Sequence, residues 1–221
     1  MKCRSACKGV IFDMDGVLID SHPVHKKVWR QFLASLDRPV TERELDFVLD
    51  GRKREEILRH FLGDLSAERI REYGQRKNRI YEKTTRDLKT ISGVEQFLGT
   101  LESAGIPMAV ATSASFERAR DTLAALGILP RFNALVTGND VVKGKPDPEA
   151  FLRAAQRLDR DSHELLVVED AVSGVKAAKS AGMKCLGIAA GGRIEILRAA
   201  GADHVVRDYR KISLDEVHRL F

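Results

Sequence analysis

Apolar and polar positions along the chain fall into two regimes. Residues 9–12, Gly-Val-Ile-Phe, form an uninterrupted apolar run with the length and β-branched content of a strand buried on both faces, and the run stops at Asp13, Asp15 and Gly16. From residue 22 the period changes. Residues 22–36, 41–49, 52–62 and 66–84 carry apolar side chains at three- and four-residue spacing, most clearly Val24, Val28, Phe32 and Leu36, which predicts helices. Thr41 followed by Glu44 has capping-box spacing, and Ser66 offers a further helix start. A helical insert of this length, placed directly after a strand, is too long for a single crossover helix and is expected to form a small all-helical cap over residues 20–88.

Beyond the insert the two periods alternate. Strands are expected at 106–112, 134–137, 164–169, 184–188 and 204–206, and helices at 91–104, 115–126, 147–158, 172–181, 194–200 and 213–220. Gly105, Gly127, Gly182 and Gly201 stand where helices should end, and Pro148 stands in a first turn. Strands and helices alternating at this interval imply right-handed crossovers and a doubly wound, Rossmann-like parallel sheet, an α/β fold whose core takes residues 1–19 and 89–221.

Composition narrows the function classes. In 221 residues, 43% hydrophobic and 31% charged, there is room for one large core plus the cap. The net charge of +5 suits an anionic small molecule, but Lys and Arg form no basic block, so no nucleic-acid partner is expected. No apolar run has the length of a membrane span, so no membrane partner is expected either. Three cysteines, Cys3, Cys7 and Cys185, without a secretory leader or a second pair to complete a metal site, lead us to expect reduced thiols in the cytoplasm, and a monomer.

Chemistry-bearing residues gather at the expected strand ends. Asp13 and Asp15 lie two apart, where Gly16 permits a turn that brings both into one crevice. Two carboxylates in one site repel, so the pair asks for shared acid/base work or a divalent cation; an isolated Asp-x-Asp is a polar turn. Thr112-Ser113-Ala114-Ser115 combines hydroxyls with free amides at a helix start, an anion site or simply a helix cap. Lys145 precedes Pro146 in a rigid loop. Glu169-Asp170 follows the apolar run 165–168, and adjacent acids there cannot both be buried unpaired.

The string Phe12-Asp13-Met14-Asp15-Gly16-Val17-Leu18-Ile19-Asp20-Ser21 resembles the signature loop of the haloacid dehalogenase superfamily, in its phosphatase and phosphomutase branch. The resemblance implies that Asp13 is a nucleophile forming an aspartyl-phosphate and Asp15 the general acid/base. It implies that Ser113, the Ala114 amide and Lys145 bind the phosphoryl group, and that Asp13, Asp15, Glu169 and Asp170 surround Mg²⁺, with Asp170 preferred to Glu169. In the insert, His25, Trp29, Arg54, Lys77 and Tyr81 resemble the β-phosphoglucomutase branch, with His25, Arg54 and Lys77 as substrate-facing cap residues. Taken alone, Trp29 is equally core, and Arg54 and Lys77 equally exposed helix charges. The loop Gly51-Arg52-Lys53-Arg54 departs from the mutase pattern, and Gly191-Gly192 with Gly201-Ala202-Asp203 looks more like the phosphatases. The expectation is a Mg²⁺-dependent phosphatase of small phosphorylated metabolites; the alternatives are a sugar-phosphate mutase and, from another class, a catalytically silent binding relative. His22, His60, His163, His204 and His218 show no partner pattern and read as surface or packing residues.

Overall fold

The structure, a computed structural model, describes residues 6–84, 88–189 and 191–221, so Cys3 lies outside the described residues. Six parallel strands form one sheet in the order β3-β2-β1-β4-β5-β6. They are β1 (Gly9–Phe12), β2 (Met108–Ala111), β3 (Ala134–Val136), β4 (Leu165–Glu169), β5 (Lys184–Ile188) and β6 (His204–Val206). The first strand is central because its apolar run tolerates neighbours on both edges and cover on both faces. Successive side chains then alternate: Val10 and Phe12 enter one apolar layer with Val94, Phe97, Leu98 and Leu123, while Ile11 enters the other with Phe151, Ala154 and Val175. Helices α4 (Val94–Ser103), α5 (Phe116–Ala125) and α9 (Leu214–His218) cover the first face, and α6 (Glu149–Leu158), α7 (Val172–Ser180) and α8 (Arg193–Ala199) the second.

Phe12, fully buried, meets Phe97 and Phe132 edge to face at centroid separations of 6.2 and 6.1 Å. Its truncation to Ala would cost about 3–5 kcal/mol, so the end of β1 is held firmly. Strand order reverses between β1 and β4, and Phe12 pairs with Val168, so the residues just past these strands flank one crevice. Ligands of open parallel sheets sit at such a switch point.

The insert between β1 and α4 is helical: α1 (His22–Ala34), α2 (Arg54–Leu62) and α3 (Ala67–Thr84), around an apolar cluster of its own that includes Trp29, Phe32, Leu45 and Phe61. Residues 41–49, expected as a helix, form instead a 3₁₀ segment, Glu44–Leu49. The Thr41–Glu44 capping bonds are present, but the buried residues Leu45 and Val48 are three apart, the repeat of the tighter helix. No helix of the described residues is long and apolar enough to cross a membrane.

Candidate active site

The loop after β1 extends the sheet by one bond before it turns. The Asp13 amide donates to the Val168 carbonyl at 3.0 Å, Gly16 takes a left-handed φ of +77°, and its amide closes on Ile19 O at 2.8 Å. Only glycine fits there, because a Cβ would also run into the His22 ring and the Asp170 carboxylate. The turn brings Asp13 and Asp15 into the same crevice.

Lys145 lies beneath Asp13, 1% exposed, and its ammonium donates to Asp13 Oδ1 at 2.6 Å, Glu169 Oε1 at 2.5 Å and Ala111 O at 3.3 Å. Three acceptors satisfy its three protons. Burial opposes its charge, yet Asp13 and Glu169 hold Lys145 above its ordinary range. Glu169 Oε2 accepts the amides of Asp170 and Ala171 at 2.9 and 3.0 Å, so both oxygens of this carboxylate are engaged within the protein. Burial, reinforced by Glu169, Asp170 and Asp15 against the pull of Lys145, pushes the Asp13 carboxyl up. The cluster carries more negative charge than Lys145 balances.

Asp170 completes this edge. Its Oδ2 is enclosed, and its one close polar neighbour among the described residues is His22 Nε2, an ion-pair contact at 2.8 Å. Burial works against a charge on His22, and Asp170 nevertheless holds the ring above its ordinary range. The expectation that His22 is a surface or packing residue is therefore corrected. As the first residue of α1 it projects across Gly16 toward Asp170, a neighbour 148 positions away that sequence spacing cannot reveal.

Asp15 sits among donors. Its Oδ1 accepts from Ser21 Oγ at 2.7 Å, His25 Nε2 at 2.9 Å and Arg118 Nη1 at 3.1 Å, and its Oδ2 accepts from Arg118 Nη2 at 2.5 Å. Burial would raise this carboxyl, but Arg118 and His25 hold it well below the usual range. Because Arg118 already balances Asp15, burial dominates at His25 and pushes it down to about 4; the neutral ring donates its Nε2–H. Sequence reasoning misses Arg118. The one signal it offers is a cation in the first turn of α5, against the helix dipole, where it needs a carboxylate partner.

The cap closes over these groups. Ser113 Oγ donates to Gly51 O at 2.6 Å, Ser173 Oγ to Asp50 O, and Lys53 Nζ to Val141 O at 2.5 Å. Ser115, not Ser113, caps α5, and the Ala114 amide is engaged by Thr112 Oγ1 at 3.2 Å, so it is not a free donor for an anion. Trp29 belongs to the cap core and also lines the cavity. Lys77 is 5% exposed rather than a surface charge, its ammonium 4.9 Å from the centre of the Tyr81 ring and 5.6 Å from that of Trp29. Burial, with Arg118 and Arg54 nearby, pushes Lys77 down to about 7. Among the described residues neither Lys77 nor the half-buried Arg54 forms an ion pair within 4.0 Å; Asp15 and Glu117 act on them from farther away. The cavity between core and cap, about 250 Å³, is lined by Asp13, Asp15, Ser113, Arg118 and Asp170 from the sheet side and by His25, Arg54 and Lys77 from the cap. Its walls set two carboxyl groups, Asp13 and Asp15, opposite Arg54 and Lys77 of the cap.

A sequence model of the hydrolases described as haloacid dehalogenase-like matches residues 7–182. The chain belongs to this family. It is an enzyme of the haloacid dehalogenase-like hydrolases, with the α/β core and helical cap of its structural relatives. It is 35% identical over 222 residues to a β-phosphoglucomutase of Bacillus subtilis, covering 96% of this chain and 94% of the relative. It is 34% identical over 210 residues to hexitol phosphatase A of Escherichia coli, covering 94% of each. Among solved structures, a family IA, variant 3 hydrolase of Entamoeba histolytica superposes with a TM-score of 0.87 at 26% identity, covering 96% of this chain and 98% of the other.

Proposed function

We propose that the protein is a cytoplasmic, Mg²⁺-dependent phosphatase of small phosphorylated metabolites of the sugar-phosphate kind, working through an aspartyl-phosphate on Asp13. The observation that carries this reading is the buried Asp13–Lys145–Glu169 group beside Asp170, at the switch point of the sheet. Relatives acting on phosphorylated carbohydrates support the substrate class.

The donor set fits a hard divalent cation. Asp170 Oδ2 has His22 alone beside it and Asp13 is crowded by like charge, so a cation among them would relieve both. Glu169 is engaged by Lys145 and two amides, and the Asp15 carboxylate by Arg118, His25 and Ser21, so both are less available to an ion than Asp13 and Asp170. Among the described residues no group of three His, Cys, Asp or Glu side chains converges at ligand spacing. Asp13 and Asp170 are therefore the side chains that would hold Mg²⁺, with other oxygens completing the set. When bound, the ion would withdraw charge from the phosphoryl oxygens.

The protein's own groups do the rest. An Asp13 carboxylate oxygen attacks phosphorus in line and the bond to the leaving alkoxide breaks; Asp15, ionised in the free protein, takes up a proton from solvent as the substrate enters and passes it to that oxygen. Water then attacks the acyl phosphate while Asp15 accepts its proton, which frees phosphate and restores Asp13. Lys145 neutralises Asp13 throughout, and Ser113, once released from Gly51 O, donates to a phosphoryl oxygen.

A mutase reading is favoured by the likeness to the Bacillus subtilis enzyme, and by Arg54 and Lys77, which could hold a second phosphate. The phosphatase is preferred because the loop Gly51-Arg52-Lys53-Arg54 departs from the mutase pattern. The deciding experiment supplies β-glucose 1-phosphate, a sugar bisphosphate primer and Mg²⁺. Free phosphate forming faster than glucose 6-phosphate supports the phosphatase; the reverse order hands the site to the mutase. A protein inert across a panel of phosphorylated metabolites would leave only a binding module.

A further inference from the structure

Arg118 closes a circuit that crosses from core to cap. Its guanidinium grips both oxygens of Asp15 and also donates to the Tyr81 hydroxyl at 3.2 Å, with its carbon 5.1 Å from the Tyr81 ring centre. The Tyr81 ring lies 5.3 Å from the His25 ring, tilted by 32°, and His25 Nε2 returns to Asp15 Oδ1 at 2.9 Å. Asp15 and Arg118 belong to the core; Tyr81, on α3, and His25, on α1, belong to the cap. All four are shielded, with side-chain exposures of 13% for Arg118 and 20% for Asp15 and a Tyr81 that is 3% exposed.

The two oxygens of Asp15 are held unequally. Oδ1 has three donors, whereas Oδ2, among the described residues, has Arg118 alone. Without the guanidinium the carboxyl could turn about its Oδ1 contacts, and only a planar fork with two parallel N–H groups stops that rotation. Ser115 fixes the fork in turn, since its side chain caps α5 by accepting the Arg118 amide at 3.4 Å.

We propose that Arg118 is the positioning residue for the acid/base Asp15, and that its contact with Tyr81 makes this positioning depend on the cap being closed. The proposal rests on the phosphatase reading above, which gives Asp15 its proton-transfer role. When the cap swings away, Tyr81 and His25 leave together, and Asp15 keeps only the core part of its support. When the cap returns over a substrate, the circuit closes and the carboxyl is set. Arg118 acts through Asp15 and not on the phosphoryl group, so its loss falls on turnover and not on substrate affinity.

The test is steady-state hydrolysis of glucose 6-phosphate with Mg²⁺ by the wild type, Arg118→Gln, Arg118→Lys, Arg118→Ala, Tyr81→Phe and Arg118→Gln/Tyr81→Phe, each checked for folding by circular dichroism. A misplaced proton-transfer group costs on the order of 100-fold, so Arg118→Gln should lose about that much kcat while KM stays within about 3-fold. Arg118→Lys should be nearly as poor, because an ammonium cannot make the fork. Tyr81→Phe should lose less, and the double variant should be no worse than Arg118→Gln alone. Guanidinium chloride added to Arg118→Ala should restore part of the lost kcat, which a structural defect would not allow. A kcat in folded Arg118→Gln or Arg118→Lys within about 3-fold of wild type, a loss confined to KM, or no response to guanidinium would overturn the proposal. A wild type that releases no phosphate from this ester or from other sugar phosphates would overturn the phosphatase reading itself, and this assignment with it.

Discussion

Replacing Lys145 by Met removes the charge at the bottom of the site while keeping most of the side-chain volume, so no large cavity complicates the result. The ammonium is 1% exposed and bonded to Asp13 at 2.6 Å and to Glu169 at 2.5 Å. Deleting one partner of a buried ion pair costs about 3–5 kcal/mol, because the partner charges stay behind without compensation. In a chain of this size each kcal/mol lowers Tm by about 2–4 °C, so the variant should melt roughly 6–20 °C below wild type near neutral pH. The penalty must depend on pH. Asp13 and Glu169 already stand above their ordinary range, chiefly through burial, and losing Lys145 raises them further. Carboxyls raised in the folded state contribute stability below their unfolded pKa, near 4, and lose it as pH rises through the folded value. The Tm difference between variant and wild type should therefore widen from pH 5 to pH 8. Thermal melts followed by circular dichroism at both pH values, with EDTA and again with Mg²⁺, measure it. A deficit under about 2 °C at pH 8, or one equal at the two pH values, would refute the reasoning.

Two more consequences can be measured alongside. Gly174, on α7, passes so close to Glu169 that an added Cβ would overlap its carboxylate, so Gly174→Ala should destabilise by about 1–3 kcal/mol and lower kcat; an unchanged Tm would contradict this packing. Lys77, facing Arg54, Arg118 and Asp15, is pushed down to about 7 chiefly by burial, so its cation is present below that pH and disappears above it. Measured as kcat/KM, turnover of substrates with a second anionic group should fall as pH rises through about 7, and Lys77→Met should remove that step; a profile identical in the variant would contradict the assignment.

Much of the architecture is readable from local pattern. The apolar run gives β1 its bounds because a strand buried on both faces leaves no polar residue inside it. Strand ends are equally readable, since an acid or lysine directly after such a run has to sit where the sheet meets solvent or ligand; Asp13 and Glu169 are legible in this way. Residues 41–49 mislead because three-residue and four-residue repeats blur in so short a segment. His22 and Arg118 are invisible to spacing for a different reason. Arg118 meets Asp15 across 103 positions, through the packing of α5 against the β1 loop, and no local period encodes that meeting. Lys77 reads equally well as an exposed charge because Trp29, which helps cover it, lies on another helix, 48 positions away.

The most direct test of the account is chemical trapping of the phosphorylated enzyme. The wild type would be mixed with a sugar phosphate and Mg²⁺, quenched during turnover, reduced with borohydride to convert an acyl phosphate to the alcohol, and mapped by peptide mass spectrometry. The account predicts substrate-dependent reduction at position 13 and none in Asp13→Asn. Continued phosphate release without modification at position 13, or with modification at another carboxylate, would contradict it.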